Sequence, residues 1–360
     1  MTDRETNLVK IEAAAPHIRG RQTTRGLMGS VVLALMPALV WAVFVFGWRA
    51  LVITAVSVVT CAACETVWCV ARRQKNTIGD LSCVVTGVLL AYTLPVSAPL
   101  HIPVLGGAFA IIVVKCLYGG LGKNVVNPAL AGRAFIVLSF PGVMARFIVP
   151  AAEKLPPFSL PASIDALAGS TPLVSLKQGY IPENLRPVEV LFGQMGGCIG
   201  EVSALLLIAG GLYLLVKRVI TLEIPLGFIG TVALVTYFFP RNPSSLYFMM
   251  YEVLSGGLIL GAVFMATDYA TAPVTRRGKL LYGVGCGLLT VFIRYFGSLP
   301  EGVMFAILTM NLLVWYIDRL TRPAGSRRPR ARRVNAAVVA EPEAQTDQPA
   351  AEGSEADAGT

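Results

Sequence analysis

Ten apolar stretches spread over residues 27–318 constrain this chain more than any other feature. They run 27–46, 50–71, 80–95, 101–119, 128–140, 188–216, 220–239, 246–266, 280–296 and 301–318. A helix needs about 20 apolar residues to cross the hydrocarbon of a bilayer. The third and fifth stretches are too short to cross as simple helices. At membrane depth a helix can stop only where its freed backbone groups face protein or a hydrated cavity. Charged residues make up 14% of the chain, well below the roughly 25% of soluble domains. The fold class that follows is an all-α integral membrane protein of about ten transmembrane helices, some of them broken.

The ends and the charges set its orientation. Residues 1–26 are polar and basic and lack a small-residue cleavage site, so the first stretch is expected to stay as an uncleaved anchor. With that segment cytoplasmic, 22 of the 30 Lys and Arg fall on the cytoplasmic side, as the positive-inside bias requires. Both termini are then cytoplasmic, and the polar island 141–187 faces the opposite side, as expected of a multi-pass protein of a bacterial inner membrane. Arg49 is assigned to a short outer loop. The tail 319–360 begins basic, with Arg327, Arg328, Arg330, Arg332 and Arg333 placed to meet anionic lipid headgroups. It continues in a run too poor in apolar residues to fold. The net charge of +9 is therefore topological and does not indicate a nucleic-acid partner.

Five stretches precede the island (27–140) and five follow it (188–318). An odd number per half means the second half enters the membrane in the opposite sense. Fragments recur between the halves: Gly87–Thr93 resembles Gly261–Thr267, and Lys115-Cys-Leu-Tyr-Gly119 resembles Lys279-Leu-Leu-Tyr-Gly283. Two inverted five-helix repeats are expected, with interruptions at Leu94-Pro95, at Gly119–Ala129 and after segment eight at Thr267–Pro273. Broken helices in inverted repeats place their free ends near the midplane, where ions and cofactors bind.

Ionisable groups within the apolar stretches cost at least ~2.5 kcal/mol each and face an interior path or a partner. Glu65, Glu201 and Glu252 are the carboxylates so placed, and Asp268 closes segment eight. These four are the candidates for a cation pathway. Glu201, midway along segment six, suits either that role or a structural ion pair, whereas Glu65 is expected to pair with nearby Arg72 and Arg73. All seven cysteines fall in the apolar stretches, which indicates no disulfide framework. Cys61 and Cys64 share a helix face, half of what a metal cluster needs. With two histidines, His17 and His101, no metal centre is expected.

Within the island lies Asp165-Ala-Leu-Ala-Gly-Ser-Thr-Pro172. Gly169 and Pro172 make this a flexible turn with accessible hydroxyls at Ser170 and Thr171. It reads either as an ordinary loop or as a site of chemistry on an exposed hydroxyl.

Four separated motifs decide between those readings: Val84–Pro95, Lys115–Leu130, Gly200-Glu-Val-Ser-Ala204 and Met265-Ala-Thr-Asp268. Together they resemble the D subunit of the Rnf ion-translocating electron-transport complex, a relative of the B subunit of the sodium-translocating NADH:quinone reductase. The resemblance covers about residues 20–320. It implies a flavoprotein carrying FMN joined through its phosphate to a threonine, within a pattern close to Asp-x-x-Ser/Thr-Gly-Ala-Thr. Asp165, Gly169 and Thr171 match that spacing, while Ala168 and Ser170 depart from it. Thr171 is thus the expected attachment residue, with Ser170 as its neighbour. The resemblance further implies a non-covalent riboflavin among the helices, a flavin transferase, and partner subunits of the complex. The rival reading is a flavin-free solute channel or transporter on the same scaffold, since function resides in the site rather than the fold.

Overall fold

Most of the apolar stretches wind into helices whose ends the sequence marks. In the computed structural model, which describes residues 23–74, 76–148, 168–169, 172–180, 187–193, 196–201, 203–298 and 301–322, the first two become α1 (Thr24–Phe46) and α2 (Trp48–Ala71). The Thr23 side chain caps α1 by accepting from Gly26 N, and Gly47, at φ 87°, makes the reversal into α2. Then follow α3 (Ser82–Tyr92), α4 (His101–Cys116) and α5 (Pro128–Ser139). Asn127 caps α5 and Pro128 opens it, the position where a missing N–H does no harm.

The island contributes α6 (Pro141–Met144) and α7 (Pro172–Lys177). It also holds a two-residue antiparallel ladder, β1 (Phe147–Ile148) with β2 (Ala168–Gly169), which pairs Phe147 with Gly169. This ladder is the small exception to an otherwise helical fold. The second set comprises α8 (Pro187–Phe192), α9 (Ala204–Val216), α10 (Glu223–Phe238), α11 (Ser245–Leu254), α12 (Leu258–Met265), α13 (Arg276–Phe296) and α14 (Val303–Thr321).

Among the described residues, four helices (α1, α2, α13, α14) are long and apolar enough to cross a membrane, five if the bent pair α11–α12 counts as one. Five more helices are apolar but shorter. The protein is accordingly a multi-pass membrane protein. Exposed Leu, Val and Phe side chains along these helices, such as Phe44, Val67 and Leu212, are what lipid contact requires.

Small residues set the closest helix contacts, as expected where no water drives helices together. Along α13 a Cβ on Gly283 would lie 2.6 Å from Ile224 O, and one on Gly287 would lie 2.7 Å from Thr231 Cβ. In the same way Gly87 brings α3 onto Val58 of α2.

Two expectations are corrected. Segment six is not one helix: α8 ends at Phe192, a single 3₁₀ turn spans Ile199–Glu201, and α9 begins at Ala204 with Ser203 as its cap. Segment eight gives way to turns over Thr267–Pro273, as expected, but it is not continuous: it also breaks at Ser255–Gly257, and its two parts diverge by 58°. Gly256 and Gly257 take φ of 69° and 63°, conformations that cost a side chain energy but suit glycine. The interruption after α3 falls at Thr93–Leu100, as expected.

These interruptions meet. Ile199 N donates to Leu94 O at 3.0 Å, and Pro95 bridges Cys198. The helices that follow the breaks after α3 and within segment eight, α4 and α12, have widened turns. Leu117 N bonds to Ile112 O at the end of α4, and Ala266 N bonds to Gly261 O at the end of α12, both i to i−5. Such π-type turns are rare and concentrate at functional sites.

Candidate functional site

Two buried arginines hold the broken backbone. Arg49 is 2% exposed and donates from Nε to Val96 O (2.8 Å) and from Nη2 to Ala98 O (2.9 Å). It is therefore an interior residue, not a member of an outer loop. The carbonyls freed where α3 stops have no helical partner, and a guanidinium satisfies two of them at once. Arg294 does the same for the second break. Its Nη1 reaches Glu252 O at 2.5 Å and Glu252 Oε2 at 2.7 Å, and Nη2 reaches Ser255 O at 3.1 Å. Glu252 is thus a buried ion-pair partner.

Glu65 pairs with Lys115, Nζ to Oε2 at 2.7 Å, and not with Arg72 or Arg73. The reason lies in α4: its widened last turns bring Lys115, 3% exposed, against α2. Lys115 Nζ also reaches Ser82 Oγ at 2.6 Å, and Thr77 donates to Glu65. Nearby Cys61, Cys83 and Cys116 pack with Ile111 in one apolar cluster.

Glu201 differs from these. It lies at the end of the 3₁₀ turn, 7% exposed, and its Oε1 has no hydrogen-bond partner among the described residues. Facing it is Glu301, a residue that sequence reasoning passed over. Glu301 Oε2 accepts from Arg133 Nη2 of α5, and its Oε1 is also unpartnered among the described residues. Cys198 Sγ completes the group, 3.7 Å from Arg133 Nη2. One oxygen of each carboxylate and this sulfur lie within 4.8 Å of one another. The two carboxylates and Arg133 line a cavity of about 20 Å³ that also touches Thr93, Gly256 and Gly257. Glu301 stands at the start of segment ten, and the only sequence signal for it is an acid beside an apolar run.

Asp268 is elsewhere. It accepts from Ala270 N and Thr271 Oγ1 within a tight turn and lines a second cavity of about 80 Å³. That cavity lies between the two helix sets. Ser82, Thr86, Asn124 and Asn127 come from the first, and Phe264 and Tyr269 from the second. Asn127 Nδ2 donates to Met265 O at 3.1 Å, joining the sets there. Of the four sequence-derived carboxylates, Glu252 shares the break with Glu201 but is matched by Arg294, and Glu65 and Asp268 lie elsewhere. Glu201 is the one with a buried oxygen left unpartnered among the described residues.

Of the attachment motif, Asp165, Ser170 and Thr171 lie outside the described residues, while Gly169 is in β2. The residues after the motif are firmly seated. Leu173 and Leu176 pack with Val190, Phe248 and Tyr251, and Lys177 donates to Gly297 O. Leu173 lies so close to Gly256 that no Cβ would fit there. The next glycine, Gly257, would carry its Cβ 3.6 Å from Glu201 Oε1. The segment that follows the motif is thereby tied to the break beside which the open carboxylate lies.

The family model described as "NQR2, RnfD, RnfE family" matches residues 11–326. The chain belongs to this family. The resemblance carried by the four motifs therefore holds. A similar protein is the D subunit of the Na+-translocating ferredoxin:NAD+ oxidoreductase complex of Acetobacterium woodii, 42% identical over 312 residues, which are 86% of this chain and 93% of that one. The D subunit of the proton-translocating ferredoxin:NAD+ oxidoreductase complex of Clostridium ljungdahlii is 37% identical over 333 residues, 88% of this chain and 96% of its own. The D subunit of the ion-translocating oxidoreductase complex of Stutzerimonas stutzeri is 38% identical over 326 residues, 84% and 92% of the two chains. Two of these relatives are named for different ions.

Proposed function

We propose that this protein is the membrane flavoprotein subunit of an Rnf-type, ion-translocating oxidoreductase complex, passing electrons between flavins and coupling that flow to movement of Na+ or H+. The observation that carries this reading is the contact chain from the segment just after the attachment motif to the break. Two residues beyond Thr171, Leu173 touches Gly256; Gly257 adjoins Glu201 Oε1. A change of charge on a group at Thr171 would then be felt by a poorly screened carboxylate, because the interior is of low dielectric.

In this reading Thr171 Oγ1 forms the phosphoester to FMN, with Asp165, Gly169 and Ser170 shaping the turn that a flavin transferase recognises. The flavin, when bound, supplies electron acceptance and donation. The chain's residues fix its position, keep it out of bulk water and balance its charge. The larger cavity suits the polar edge of a riboflavin ring, having Asn124, Asn127, Thr86 and Asp268 among apolar walls. At about 80 Å³ it is smaller than the roughly 300 Å³ usual for ligand pockets. A whole flavin there requires Leu27 and Met28, at the start of α1, to yield.

The architecture we favour is ten crossings in two inverted five-helix repeats, in a bacterial inner membrane, with both termini cytoplasmic. The paired breaks, each held by a buried arginine and followed by widened turns, support it. Glu201, Glu252, Glu65 and Asp268 line the proposed cation route. Partner subunits carry electrons to and from the chain, and the arginines at 327–333 meet anionic lipids.

Peptide mass spectrometry across residues 155–177 of protein from its native host tests the reading. An FMN-sized adduct on Thr171 is expected, with ultraviolet fluorescence of the denatured band. An adduct on Ser170 would shift the attachment by one residue. A dark, unmodified band would favour a flavin-free channel or transporter.

A further inference from the structure

The cluster at the break asks for one positive charge. Glu201, Glu252 and Glu301 stand beside Arg133 and Arg294, so these five groups sum to minus one when all are ionised. Two of the three acids are already matched: Glu252 by Arg294 and Glu301 by Arg133. The remaining charge lies between Glu201 Oε1 and Glu301 Oε1, both buried and without a hydrogen-bond partner. An unpaired buried carboxylate is among the costliest groups a protein can hold. Two unpartnered oxygens sharing one cavity mark a place for a guest.

We infer that Glu201 and Glu301 form a binding site for a single dehydrated monovalent cation of about the size of Na+. This rests on the ion-translocating reading above and specifies where the cargo ion pauses. Three observations fix the class of ion. The cavity of about 20 Å³ holds one water-sized guest, since a water needs roughly 10–15 Å³ on this measure. The charge deficit is one, and Arg133, which lines the same cavity while paired with Glu301, would repel a second positive charge. The ligands facing the cavity are carboxylate oxygens, which suit a hard cation. Cys198 Sγ, a soft donor that suits zinc or copper, lies beside the Arg133 guanidinium. Thr93 and the glycine backbone at 256–257 also line the cavity and offer further oxygens, beside Arg133 and an apolar wall that includes Leu130, Leu260 and Met304. A site of this build lets go of its ion when a negative charge nearby is removed, which suits a station on a redox-driven path.

The test uses the full chain purified with its partner subunits, radioactive Na+ as probe, and mildly alkaline buffer, where protons compete least. Wild type is expected to bind Na+ and to unfold at higher temperature in NaCl than in choline chloride, since a ligand specific for the native state stabilises it. Glu201→Gln leaves the Glu301–Arg133 pair neutral and is expected to fold. It should bind one Na+ fewer and lose the difference between the two salts. Glu301→Gln should also lose the ion. Glu223→Gln, on an outlying helix start, should behave as wild type. The proposal is overturned if wild type binds no Na+, or if Glu201→Gln keeps both the wild-type stoichiometry and the NaCl stabilisation. Displacement of Na+ by stoichiometric Zn2+ would overturn it too, by making the thiol a ligand. The flavin adduct on Thr171 is scored on the same samples, so that loss of the ion site and loss of the flavin are told apart.

Discussion

Ile199 donates its backbone N–H to the carbonyl of Leu94 across 3.0 Å, so the end of α3 and the turn before α9 are stitched to each other at their interruptions. Backbone that would be intolerable in lipid is satisfied by backbone from another broken segment. The geometry between them is tight.

Gly200 sits at this seam with no space for a side chain. A Cβ there would lie 2.7 Å from Tyr92 Cβ and 2.8 Å from Leu260 Cδ2. Gly200→Val is therefore expected to destabilise the protein by about 1–3 kcal/mol, the usual range for overpacking. Thermal unfolding of the solubilised protein measures this. A variant as stable as its parent would mean that the seam is loose.

The Glu65–Lys115 pair is buried on both sides, and removing one partner leaves the other charge stranded. Lys115→Met should cost about 3–5 kcal/mol, and adding Glu65→Gln should restore a large part of it. A double-mutant cycle reads the coupling. Additive losses would show that the two groups act independently.

What is legible in the sequence follows from the strength of each signal. Helix existence is plain from runs of apolar residues, and the break after α3 is marked by Leu94-Pro95. The break at Gly256–Gly257 is hidden because two glycines amid Leu and Val read as close-packing residues, and only the sign of φ distinguishes a turn from a contact. Segment six reads as continuous because its 3₁₀ turn, Ile199–Glu201, interrupts the apolar run with a single charge. Membrane placement of Glu201 is legible from cost alone. Its partner Glu301 is not, since about 100 residues of chain separate them and only tertiary packing joins them. Arg49 misleads because arginine beside a turn reads as a surface cation.

The two arginine clamps should not be equally important. Arg49→Met leaves the carbonyls of Val96 and Ala98 without donors, at about 1–3 kcal/mol for each buried group. Arg294→Met does the same at Ser255 and also strands Glu252, so its loss should be the greater. Unfolding midpoints of the two variants in the same detergent decide the order. Equal losses would mean that Glu252 is neutral or finds another donor.

If two flavins are held in different ways, they must be separable by mutation. Thr171→Ala removes the hydroxyl that the phosphoester needs and leaves the larger cavity untouched. Thr86→Phe fills that cavity, which Thr86 lines, and leaves the attachment motif intact. The first variant should lose the fluorescent band on denaturing gels while still releasing riboflavin into the supernatant on denaturation. The second should keep the fluorescent band and release none. Loss of both signals from Thr86→Phe in a protein that still elutes as a single species would move the free flavin to the neighbourhood of Thr171. Release of riboflavin undiminished by Thr86→Phe would remove the cavity between the helix sets from the electron path.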